Sequence, residues 1–106
     1  MDIKELTRKM QELVAVKGWD AASSLRPQTP RNLAISLSLE VNEVLELFQW
    51  SERCAKPDEL PGELADVALY LLQLASVSGI DLEQAILGKL KQNFSRQWDQ
   101  DEGASH

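Results

Sequence analysis

The stretch GELADVALYLLQLASVSG, residues 62–79, decides the fold. Ala65, Val67, Ala68, Leu69, Leu71, Leu72, Leu74 and Ala75 leave Asp66, Tyr70 and Gln73 as its few polar interruptions, so the strict alternation of a half-buried strand is missing. The pattern predicts a helix over 58–78, with Pro61 tolerated in its first turn and Gly79 ending it. A helix that is apolar nearly all round is normally buried on every side, so this one has to be surrounded.

The flanking segments supply the surroundings. Upstream, Thr29 followed by Pro30 is a strong helix start, because threonine accepts a bond from an orphan amide and the fixed φ of proline suits the first turn. That second helix is expected to reach about residue 50. Its Leu33, Leu37, Val44, Leu47 and Phe48 form one broad stripe, while Ile35, Leu39 and Leu45 carry apolar surface onto other faces.

Nearer the N-terminus, Asp2 caps a first helix with Ile3, Leu6, Met10, Leu13 and Val14 on one side, and Gly18 ends it. Residues 20–28 carry no periodicity and form a connecting loop. Downstream, Asp81 with Gln84 resembles a capping box for a fourth helix striped by Leu82, Ile86, Leu90 and Phe94.

The expected fold class is therefore all-α, a four-helix bundle. Residues 1–100 make a single domain, and the polar, aperiodic 101–106 make a flexible tail. A chain of 106 residues has room for one core only. Helices two and three carry more apolar surface than such a monomer hides, which predicts a homo-oligomer with a shared core, a homodimer or a homotetramer.

The net charge of -6 argues against a nucleic-acid duplex or an anionic membrane as partner, since each calls for a clustered basic surface. The opening MDIKELTRKMQEL mixes charge with apolar positions, and no stretch is expected to match the roughly 20 apolar residues of a membrane span. Cys54 is the only cysteine, so no intrachain disulfide forms and a cytoplasmic location is expected.

The strongest chemical signal is E-V-N-E at 40–43 and E-L-A-D at 63–66, two carboxylate pairs at i, i+3 spacing on two apolar helices. Gathering Glu40, Glu43, Glu63 and Asp66 without a cation is unfavourable, because like charges repel and burial penalises each ionised oxygen. A hard divalent metal answers both costs. Mg²⁺, with Mn²⁺ as a substitute, takes oxygen ligands and keeps positions for water and substrate phosphates. A di-iron bundle would call for Glu-x-x-His motifs, and no histidine precedes His106.

The strings SLEVNEVLELFQW (38–50) and ELADVALYLLQLA (63–75), with KGW at 17–19, TPRNL at 29–33 and Lys89, Asn93 and Arg96, resemble the MazG-like all-α nucleoside triphosphate pyrophosphohydrolases, nearest the dCTP pyrophosphatase branch. The resemblance implies Mg²⁺-dependent hydrolysis of a nucleoside triphosphate, dCTP or a modified analogue among them, to the monophosphate and pyrophosphate. It also implies that Glu40, Glu43, Glu63 and Asp66 are the metal ligands and that Glu43 orients or deprotonates the attacking water.

Trp19 and Trp50 are candidates to stack on the base, Tyr70 to reach sugar or phosphate, and Lys89, Asn93 and Arg96 to grip phosphate. Without the resemblance, each of these is read more simply as packing or a solvated face. The chain departs from the family pattern at Asn42, where Gly is common, at Gly62, where a further Glu is common, and at Met10, where the dCTP branch carries a histidine. Two other readings stay open: an enzyme acting on phosphoribosyl-ATP, and a catalytically silent nucleotide-binding helical module.

Overall fold

Four helices follow one another in the computed structural model, which describes residues 2–18 and 27–100, the last five by their backbone alone. They are α1 (Ile3–Lys17), α2 (Pro30–Glu46), α3 (Leu60–Val77) and α4 (Leu82–Gln100). No strand occurs among the described residues. The expected loop falls partly, and the tail at 101–106 wholly, outside them.

The ends of the helices are set by local chemistry. The Asp2 carboxylate accepts from the Glu5 amide at 2.9 Å and the Thr29 hydroxyl from the Asn32 amide at 3.1 Å. At α4 the Asp81 carboxylate accepts from the Gln84 amide at 3.1 Å. Gly79 ends α3 at φ 68, the left-handed region that favours glycine. Around it the Gly79 amide donates to the Ser76 carbonyl and the Ile80 amide to the Ala75 carbonyl, the paired bonds of a Schellman motif.

Two boundaries differ from expectation. Helix α2 stops at Glu46 instead of about residue 50, because Leu47, Phe48 and Gln49 donate to carbonyls three residues back, tightening the chain into a turn. The Ala55 amide then donates to the Leu47 carbonyl at 2.7 Å, so the backbone doubles back here. Helix α3 starts at Leu60 instead of 58, with Pro61 in its first turn.

Helix α3 is the centre, packed most extensively against α2 and also against α1, while α4 leans on α1. Met10, Val14 and Leu72 form the buried cluster, with Ile3 and Leu82 packed on it. Leu33 is the most deeply buried large side chain, 1% exposed. Gln11 also donates across to the Ser76 hydroxyl at 2.7 Å, tying α1 to α3.

A single chain does not surround α3. Leu64, Leu69, Leu71 and Val77 on that helix are exposed, as are Leu39 and Leu45 on α2. The radius of gyration is 16.9 Å, against about 13 Å for a compact chain of this length. By length and composition alone α3 would also suffice to cross a membrane, a correction to the expectation that no stretch comes close. Its only charged residues, Glu63 and Asp66, both fall in its first two turns, which leaves a long uncharged run behind them.

Candidate metal centre and cleft

The antiparallel pairing of α2 and α3 brings the two carboxylate motifs together. One oxygen each from Glu40, Glu43 and Glu63 lies within 4.8 Å of the others. Glu40 and Glu63 are half-buried and Glu43 is exposed. Asp66 stands outside this triplet, yet its charge acts on both Glu40 and Glu63, so all four carboxylates share one electrostatic site.

The site stores repulsion. Burial, then a hydrogen bond with Glu43, then the charges of Glu43, Asp66 and Glu63 push the Glu40 carboxyl up to about 6 from an ordinary 4.5. Glu63 is raised too, first by its hydrogen bond with Glu43, then by burial and the surrounding charges. Two carboxylates bond to one another only when one holds a proton. Glu43 therefore sits between two neighbours that each favour sharing a proton with it.

With both neighbours ionised there is no donor to answer them. Glu40 Oε2 and Glu63 Oε2 are buried from solvent without a hydrogen-bond partner among the described residues. The one ion pair found there, Lys56 with Glu59 at 3.9 Å, joins exposed groups one turn before Glu63 and gives neither oxygen a donor. Buried acceptors left this way cost free energy, and the donor set is all carboxylate oxygen. Both features fit a hard divalent cation of the Mg²⁺ type and not a soft one.

Beside the carboxylates opens a cleft of about 650 Å³ between α1, α2 and α3. Asp66 lies at its rim, Met10, Val14, Leu33 and Leu69 give it apolar walls, and Tyr70, Gln73, Gln28, Asn32 and Ser36 add polar groups. Asp66, Tyr70 and Gln73 recur at four and three, so α3 presents them on one face. Gln73 is 7% exposed, and its side-chain amide nitrogen donates to the side-chain oxygen of Gln28.

The remaining candidates are placed unevenly. Tyr70, half-buried, lines the cleft as its spacing from Asp66 suggested. Trp50 follows α2 in the turn and is 88% exposed, away from the cleft lining. Lys89 and Asn93 are exposed on α4, and no described residue of α4 lines the cleft. Trp19 and the side chain of Arg96 lie outside the described residues. Gln28, Asn32, Ser36 and Gln73 carried no such signal in the sequence, although Gln73 was visible as one of three polar interruptions between Ala65 and Ala75.

Comparison with known proteins places the chain in a family. The MazG-like family model matches residues 35–106, which include all four carboxylates. Over 108 aligned residues the chain is 35% identical to dCTP pyrophosphatase 1 of Bos taurus and 33% identical to that of Homo sapiens, covering 89% of this chain in each case. It spans 58% of the length of those relatives. A crystal structure of a pyrophosphatase from Archaeoglobus fulgidus superposes with a TM-score of 0.73 at 35% identity, over 88% of this chain and 89% of that one. With its four helices, its paired carboxylates and these likenesses, the chain belongs to the MazG-like family.

Proposed function

We propose that the chain is a nucleotide pyrophosphohydrolase, converting a nucleoside triphosphate to its monophosphate and pyrophosphate with Mg²⁺ held by Glu40, Glu43, Glu63 and Asp66. The observation that carries this reading is the convergence of three carboxylates, two with orphaned buried oxygens, together with Asp66, which lines a cleft large enough for a nucleoside. When bound, the metal supplies positive charge against the phosphate oxygens and the departing pyrophosphate.

The chain's own residues do the rest. Glu43, the exposed member of the triplet, orients a water toward the α-phosphorus and accepts its proton. As the new oxygen–phosphorus bond forms, the bond to the bridging oxygen breaks and pyrophosphate leaves with the electron pair. The apolar walls of the cleft hold the nucleoside and Tyr70 reaches its sugar. dCTP or a modified analogue is the first substrate to try, since the curated relatives carry that name.

Residues 1–100 act as one domain, in a homodimer or homotetramer that covers the apolar surface of α3. Assembly also gives a role to Lys89, Asn93 and Arg96, since no Lys or Arg among the described residues lines the cleft and a second copy can bring its α4 to the phosphates. Trp19 and Trp50 stack on the base in the same assembled site. The lone Cys54 suits a cytoplasmic location.

The test is hydrolysis in ¹⁸O-labelled water with product analysis. Label in the monophosphate alone supports attack at the α-phosphorus. Release of orthophosphate, or turnover of phosphoribosyl-ATP only, overturns the reading.

A further inference from the structure

We infer that Gln73, oriented by Gln28, reads the exocyclic amino group of the substrate base. This assignment rests on the nucleotide reading above and adds to it a residue that selects among bases.

The placement follows from helix geometry. Asp66 and Gln73 share one face of α3 seven residues apart, an axial rise of about 10 Å. On α2, Asn32, Ser36 and Glu40 recur at four, so this face also runs from the carboxylates toward the amide end of the cleft. A nucleotide with its phosphates at the carboxylates therefore lays its base beside Gln73, since two helical turns match the reach of a nucleoside from its 5′ oxygen to its base edge.

The chemistry at that end is specific. Gln73 is buried among apolar cleft walls, at 7% exposure, where a polar side chain is costly unless it is bonded. Its side-chain amide nitrogen donates to the side-chain oxygen (Oε1) of Gln28, which fixes the plane and sense of the amide. The side-chain carbonyl oxygen of Gln73 accepts no hydrogen bond among the described residues. What the cleft offers the base is thus an oriented acceptor. It is complementary to the amino group of cytosine or adenine and repels the carbonyl that uracil or hypoxanthine presents at the corresponding position. Gln28 acts through Gln73 and is a positioning residue.

The experiment compares kcat/KM for dCTP against dUTP, and for dATP against dITP, in the full chain and in Gln73→Leu and Gln28→Leu. Calorimetric binding of the non-hydrolysable α,β-imido analogues runs in parallel. The expected result is a wild-type preference for the amino base in at least one pair, reduced roughly tenfold in Gln73→Leu and less in Gln28→Leu. A purely structural role would lower both members of a pair and leave the ratio alone. Gln28, at the edge of the cleft, keeps the test valid should Gln73→Leu fold poorly.

Hydrolysis with an amino-to-keto ratio that neither variant moves overturns this assignment and leaves the pyrophosphohydrolase intact. Base-selective binding lost in the variants, with no turnover of any nucleotide, does the reverse. Neither binding nor turnover removes both.

Discussion

Glu40 on α2 and Glu63 on α3 face each other with one buried oxygen apiece, and neither oxygen finds a hydrogen-bond donor among the described residues. Every charge that raises either carboxyl belongs to another acidic residue. The helix pair is thus held together by apolar packing against a local repulsion, and that tension makes the site responsive to protons and to cations.

Acidity should stabilise the metal-free protein. Glu40 titrates near 6 when folded and at 4.5 ordinarily, so between these values the folded chain binds more protons than the unfolded one. Its contribution is fully present below about 4.5 and is lost as pH rises through about 6; Glu63, also raised, acts in the same direction. Thermal melts in chelator should give a Tm that falls across this window. Saturating Mg²⁺ should raise Tm more at pH 7.5 than at pH 5, because the cation competes with those protons.

Neutralising one member of the triplet separates stability from chemistry. Glu40→Gln should raise the Tm of the metal-free protein at pH 7.5 and abolish most of the rise that Mg²⁺ produces. Glu43→Gln removes a charge that bears on both neighbours, so it should also raise that metal-free Tm, and it should in addition lower kcat by about 100-fold or more, the usual scale for a lost general base. Circular dichroism melts beside steady-state kinetics read both.

The core that positions the site is small, so single truncations in it are severe. Leu33→Ala, at the most buried position of α2, should cost about 2–5 kcal/mol in urea unfolding. With so few buried side chains in a single chain, that loss is large enough to unfold much of the population at 37 °C.

The exposed apolar face of α3 predicts self-association. Leu64 is 50% and Leu71 is 39% exposed in the single chain. Leu71→Glu should place a charge in the shared core and convert a dimer or tetramer to monomer on light scattering. Wild-type protein that runs as a monomer at all concentrations would remove the oligomer from the account.

The helices were legible because their signals are local. Asp2, Thr29, Gly18 and Gly79 act within a few residues of where they stand, and each does so as its sequence context suggests. The tightened turn at 47–50 was not, because the bond from the Ala55 amide back to the Leu47 carbonyl, eight residues earlier, overrides the helical pattern of LELFQW.

The carboxylates were legible because two i, i+3 pairs on apolar helices leave few alternatives. The cleft was not, since Gln28 and Gln73 are 45 residues apart and no periodicity announces their bond. Lys89 and Asn93 share a stripe in the sequence, but within one chain that stripe does not line the cleft.

The most direct measurement is pyrophosphate release from a panel of canonical and modified nucleoside triphosphates, each with Mg²⁺ and again with excess chelator. The account predicts release with Mg²⁺, none with chelator, and loss of the Mg²⁺-dependent release in Glu43→Gln. Undiminished release in chelator, or no release from any nucleotide by folded protein, would contradict it.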